Sequence, residues 1–152
     1  MKKKFFAIAA IALLSAMCLS VFAACTTDVD GKTFVYDSYE IELNEYGKET
    51  ADVMGYDDDE FIDFMMENET IVSDLVELGS SIEYSFKDGK CTAKAAGQVP
   101  STVDYELDGK NITFDGVPAA ENVATLTVSG SKLIMEASFS DIGTVKIIFK
   151  QK

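Results

Sequence analysis

The densest group of side chains able to do chemistry is the acidic run Asp57, Asp58, Asp59, Glu60 and Asp63. Oxygen-rich clusters hold hard cations, so Asp57, Asp59 and Asp63 are candidate ligands for Ca²⁺. The spacing is not that of an EF-hand loop, because Phe61 stands where a ligand belongs and no Gly and terminal Glu follow at the required offsets. A helix N-terminus explains the same carboxylates without metal, since unpaired amides and the helix dipole favour negative charge there. Other chemistries are excluded by composition. The chain has no His, no Trp and no Arg, all thirteen basic residues being Lys. A nucleophilic triad lacks its base, and the usual zinc ligand sets are out of reach. No Asp or Glu falls on the apolar parity of the strands described below, where desolvation would tune a general acid or base. The expectation is a non-catalytic protein with no catalytic residues and no cofactor.

The three cysteines divide by position. Met1 to Cys25 has the form of an export signal: Lys2, Lys3 and Lys4, an apolar stretch from Phe5 to Leu14, then small residues ending in Ala23, Ala24 and Cys25. An uncleaved anchor is the alternative, because Phe5 to Ala24 is about long enough to cross a bilayer; Ser15 and Ser20 interrupt it. The run Val21-Phe22-Ala23-Ala24-Cys25 resembles a lipobox, the signal of bacterial lipoproteins. That resemblance implies removal of residues 1–24 and lipidation of Cys25. Phe22 departs from the aliphatic residue usual in the family, which leaves ordinary cleavage after Ala23 open. Cys18 leaves with the signal, and Cys91 then has no partner unless Cys25 stays unlipidated. Cys91 lies on an apolar parity and reads as a small buried hydrophobe. Residues 25–31 form a tether of at most ~20 Å, followed by a domain over 32–152.

The elements that position everything else run from Ser81 to Lys150. Apolar residues alternate with polar ones, the period of a strand with one face buried. Ile82, Tyr84 and Phe86 lead to the turn Asp88-Gly89. Cys91, Ala93 and Ala95 follow, then Val103, Tyr105 and Leu107 before the turn Asp108-Gly109. Ile112 with Phe114, Ala124 with Leu126 and Val128, Leu133 with Met135, Ala137 and Phe139, and Val145 with Ile147 and Phe149 complete seven strands. Short links make sequence neighbours antiparallel neighbours.

An eighth strand, Thr33 to Leu43, precedes them. Its parity breaks between Phe34/Tyr36 and Tyr39/Ile41/Leu43, predicting a bulge at Asp37-Ser38. A polar stretch from Asn44 to Gly55 leads to the helical spacing of Phe61, Phe64 and Met65 and of Ile71, Leu75 and Leu78. One or two helices are expected over about 58–78, capped by Asp57 or Asp58 and stopped at Gly79. The fold class is mainly β: an antiparallel up-and-down meander of about eight strands closing into a barrel, with the helices inserted between its first and second strands.

Residues from Ser81 on resemble the small lipocalin-like lipoproteins of Gram-positive anaerobes, through the Asp-Gly hairpins, the run Tyr105 to Phe114 and the closing Lys146-Ile-Ile-Phe-Lys150. The resemblance implies a lipocalin-like barrel. Its motifs are turn and strand patterns, which identify a fold better than a function. The helical insert is similar in architecture to that of intracellular fatty-acid-binding proteins, whose basic ligand-clamping residues are missing here.

An eight-stranded barrel is either filled by its side chains or able to hold one small ligand. Small residues on the inward parity favour a cavity, with Tyr84, Cys91, Ala93, Tyr105, Ala124 and Met135 as candidate contacts for a small apolar ligand. Large ones such as Phe86, Phe114, Phe139 and Phe149 favour a filled core, and with it a structural or protein-interaction module at the cell surface. From Cys25 on the chain holds ten Lys against 26 Asp and Glu, a net charge of −16. Such a chain repels nucleic acid and anionic head groups. The expected partners are the membrane, through a lipid on Cys25, and either a small hydrophobic ligand or a cell-envelope protein. The expected location is extracytoplasmic, as a lipid-anchored monomer.

Overall fold

The computed structural model describes residues 28–68, 70–115 and 125–152. The alternating segments form eight strands: β1 (Thr33–Leu43), β2 (Ile82–Lys87), β3 (Lys90–Ala95), β4 (Ser101–Asp108), β5 (Asn111–Phe114), β6 (Thr125–Ser129), β7 (Lys132–Phe139) and β8 (Gly143–Gln151). Each is antiparallel to its sequence neighbour, and β1 closes on β8 to complete the barrel. The first hairpin shows how composition sets register. Asp88 and Gly89 both take left-handed φ angles, 52° and 73°, as a tight two-residue turn demands. That turn fixes Phe86 opposite Cys91 and Tyr84 opposite Ala93.

The break in parity in β1 is a bulge. Tyr36 pairs with Phe149 and Ser38 with Ile148, so Asp37 is the extra residue. The insertion restores an inward direction to the second half of the strand. Phe34 and Tyr36 pack into the barrel cluster, whereas Ile41 and Leu43 pack under the helices.

Ladder lengths divide the barrel into a strong wall and a weak one. β1 with β8 and β8 with β7 pair over nearly their whole lengths. By contrast β1 pairs with β2 only from Thr33 to Val35, and β5 with β6 only at Asn111 and Ile112. The upper half of β1 and the start of β2 part company, and helices occupy the gap.

There are three helices where the sequence predicts one or two: α1 (Glu45–Met54), α2 (Asp58–Glu67) and α3 (Ile71–Ser80). The expected span of 58–78 is therefore too short. Asn44 caps α1, its Oδ1 accepting from the Gly47 amide at 2.8 Å. The face α1 buries consists of Gly47 and Ala51, so no large apolar residues repeat and the helical period is hidden. Asp57 caps α2 through a capping box. It accepts from the Glu60 amide at 2.9 Å, while its own amide donates to Glu60 Oε2 at 3.0 Å. Thr70 caps α3. Phe61 and Met65 of α2 and Val72 and Val76 of α3 form a second core with Val145, and Leu75 joins it to the barrel cluster.

The seat of α3 depends on Gly79. A Cβ there would stand 2.3 Å from Ile147 Cδ1, and Ile147 is itself fully buried. The missing side chain lets the end of the helix press onto the inner face of β8.

At the opposite end, the segment before β1 turns across the barrel. Val29 is fully buried in the barrel cluster. The amide of Gly31 donates to the Phe86 carbonyl at 2.8 Å, and that of Phe86 donates to the Lys32 carbonyl at 2.9 Å. The chain is thus fixed to the barrel from Val29 onward.

Candidate functional site

Period-two packing brings most of the candidate ligand contacts into one interior. Tyr84, Cys91, Ala93, Tyr105 and Met135 all belong to the barrel cluster. Ala124 and Cys25 lie outside the described residues. Around Tyr84 the space is occupied. Its ring meets Phe149 edge to face at 5.2 Å, and its hydroxyl donates to Met135 Sδ at 4.0 Å. Ala93 sits opposite it on β3, a small residue facing a large one. Phe86 continues the series, meeting Tyr105 at 5.0 Å and Phe34 at 5.9 Å, both edge to face. Such contacts are the arrangement aromatic quadrupoles favour, and they form two aromatic groups in the barrel, Tyr84 with Phe149 and Phe34 with Phe86 and Tyr105.

Electrostatics agree with the packing. Burial pushes the Tyr84 hydroxyl up to about 12, with a smaller contribution from Cys91. Burial alone pushes the Cys91 thiol up to about 12. A thiol so hard to ionise is a poor nucleophile. Tyr105 is also raised, first by burial and then by Asp30 and Asp28 beneath it. Among the described residues no charged or polar side chain is buried, and no buried side-chain nitrogen or oxygen lacks a partner. The desolvated ionisable groups of the barrel cluster, the Tyr84 hydroxyl and the Cys91 thiol, both keep their protons at neutral pH.

The filling is looser on the weak wall. Val103, Tyr105, Leu107 and Phe114 of β4 and β5 point inward yet are only half-buried. Beside them a half-open cavity of about 330 Å³ is bounded by Asp104, Tyr105, Glu106, Thr113, Phe114 and Asp115. The size suits a small molecule, but three of the six side chains are carboxylates. Alternation marks Asp104, Glu106 and Thr113 as outward residues. Nothing in the sequence announces the concavity, because it arises where the short β4–β5 ladder ends.

Of the acidic run, Asp57 is the N-cap of α2, Asp58, Asp59 and Glu60 lie on its first turn and Asp63 lies further along it. Asp57 spends one carboxylate oxygen on the cap, and Asp58 reaches Lys48 at 3.6 Å. Among the described residues no three Asp, Glu or Cys side chains converge as a metal site would require. Asp57, Asp59 and Asp63 are thus not gathered around a common point.

Apolar side chains do reach the surface on the helices. Tyr46 and Val53 are seven residues apart on α1, and Ile71 and Leu78 are likewise on α3; all four are exposed. Among the described residues no helix is long and apolar enough to cross a membrane. The sequence matches no protein-family model, and a search of curated proteins returned no match.

Proposed function

We propose that this chain is a lipid-anchored extracytoplasmic lipoprotein whose lipocalin-like barrel is a filled, non-catalytic scaffold that acts through its surface as a protein-interaction or structural module. The observation that carries this reading is the packing of buried aromatic rings inside the barrel. Full burial of Phe34, Phe86 and Phe149, with Tyr84 held between Phe149 and Met135, supports a filled interior. Helix α3 pressed on Ile147 closes the same end that a carrier would leave open. The exposed pairs Tyr46/Val53 and Ile71/Leu78 supply apolar contact area at the helical end. Anchoring rests on the signal pattern ending at Cys25, which two acyl chains would make stable without help from the domain.

A second reading, a carrier of a small ligand, draws on the half-open cavity beside Tyr105 and Phe114. Its acidic rim suits a polar or cationic molecule better than the apolar ligand the sequence suggested. Native mass spectrometry of the exported Cys25→Ser chain, purified without detergent, separates the two. A bare protein mass is the expected result. A discrete adduct released on denaturation would overturn the filled-scaffold reading and establish a carrier.

A further inference from the structure

Lysines are distributed unevenly over the barrel. Of the ten that follow Cys25, seven lie at the end opposite the helices. Lys32 opens β1, Lys87 and Lys90 flank one hairpin, and Lys110 and Lys132 follow the turns into β5 and β7. Lys150 and Lys152 end β8 and the chain. Two pairs stand directly opposite each other across the ladder, Lys87 with Lys90 and Lys132 with Lys150. Like charges in such positions destabilise a sheet. Lys90, Lys150 and Lys152 are balanced by Asp104, Asp37 and Glu83. Lys32, Lys87, Lys110 and Lys132 form no salt bridge among the described residues. The carboxylates in the same turns are Asp28, Asp30, Asp88 and Asp108. This pole is close to electrically balanced in a chain that is otherwise strongly acidic. The helical segment from Asn44 to Ser81 holds twelve carboxylates and one lysine, Lys48.

On the anchored reading, an attachment at Cys25 would join the described chain at the lysine pole. Val29 is fixed in the floor of the barrel, and three residues separate it from Cys25, a reach of at most ~14 Å. That distance is under two Debye lengths of about 8 Å each at physiological salt, so the turns carrying Lys87, Lys110 and Lys132 can stand within the screened field of the lipid head groups.

We infer that the lysine pole is a membrane-facing surface, which holds the barrel upright on anionic phospholipid while the acidic helices are driven outward. The inference rests on the anchored reading above and adds an orientation to it. An anionic leaflet attracts lysines near its surface and repels carboxylates. The field therefore repels the strongly acidic helical end and not the balanced pole, where the lysines of the turns can approach the head groups. A tethered chain without this asymmetry would lie at any angle. Upright, it presents Tyr46, Val53, Ile71 and Leu78 away from the membrane, toward any partner in the envelope.

The test is amine acylation, read lysine by lysine by mass spectrometry, on the protein reconstituted in phosphatidylglycerol-rich or pure phosphatidylcholine vesicles. Intact mass reports separately whether Cys25 bears a lipid. A chain carrying a free Cys25 is coupled through that thiol to a maleimide lipid, Cys91 being buried, so orientation is measured however the N-terminus is processed. The lysines at the pole should react about fivefold more slowly on the anionic vesicles than on the neutral ones. Lys48, Lys94 and Lys146 should be unchanged, and about 0.5 M salt should abolish the difference. The triple variant Lys87→Gln, Lys110→Gln, Lys132→Gln, altered only at exposed turns, should lose most of the protection at Lys150 and Lys152. Equal protection on the two vesicle types, or protection of Lys48 instead, would overturn the inference.

Discussion

Replacing Phe149 by Ala tests whether the barrel is filled. Phe149 is fully buried, lies opposite Tyr36 and Leu133 in the two neighbouring strands, and carries the edge of the Tyr84 contact at 5.2 Å. Truncating a buried Phe in a close-packed core costs about 3–5 kcal/mol, the transfer and cavity contributions together. Of this, about 1 kcal/mol belongs to the aromatic pair. A domain of this size is stable by roughly 5–15 kcal/mol, so the variant should fold but unfold far earlier. With a slope of about 1.5 kcal/mol per molar urea, the midpoint should drop by roughly 2–3 M. The assay is equilibrium unfolding in urea, followed by far-ultraviolet circular dichroism and by tyrosine emission, the chain having no Trp. Val99→Ala, at a side chain 91 % exposed, is the control and should not move. The variant should also bind benzene in the new dry hole, as apolar cavities on the order of 150 Å³ do. A loss below about 1.5 kcal/mol, or equal benzene binding by the unaltered protein, would mean that Phe149 already borders empty space. If the Ala variant does not fold, Phe149→Leu should still cost about 1–2 kcal/mol by the same reasoning.

Two further outcomes are expected. Asp57→Ala should destabilise the protein by about 1 kcal/mol through loss of the capping box, and millimolar Ca²⁺ should leave the melting temperature of the unaltered protein unchanged; a rise that Asp57→Ala removes would restore the metal reading. Stability should also fall at alkaline pH. Cys91 and Tyr84 have ordinary values of 9.0 and 10.0, and both are raised to about 12 in the folded state. The folded chain then holds protons that the unfolded chain releases, so the stabilisation is complete below pH 9 and declines as pH rises toward 12. Each group contributes at most about 1.4 kcal/mol per pH unit. Melting temperatures between pH 7 and 11 should show this decline, and Cys91→Ala should delay its onset to about pH 10. A melting temperature that rises above pH 9 would refute the assignment.

Much of the fold was legible because strand alternation and turn chemistry are local. Ile82, Tyr84 and Phe86 followed by Asp88-Gly89 specify a strand and its turn, and the parity break at Asp37 specifies a bulge, without knowledge of any partner. Helix α1 was not legible, because its buried face is Gly47 and Ala51, whose small side chains leave no period in hydropathy. The burial of Val29 was hidden for a similar reason: one apolar residue between Asp28 and Asp30 has no pattern around it.

Local sequence thus determined the strands, their order, the export-like pattern ending at Cys25 and the lack of any His. Whether the barrel would be hollow could not follow from the same information. Alternation says which way a side chain points but not what it meets across the barrel, as Tyr84 of β2 meets Phe149 of β8 and Met135 of β7. The tertiary structure sets those contacts, and it also gathers lysines from five separate turns and termini onto one pole. Both results depend on distances between residues far apart in the chain, which closure of β1 on β8 alone sets.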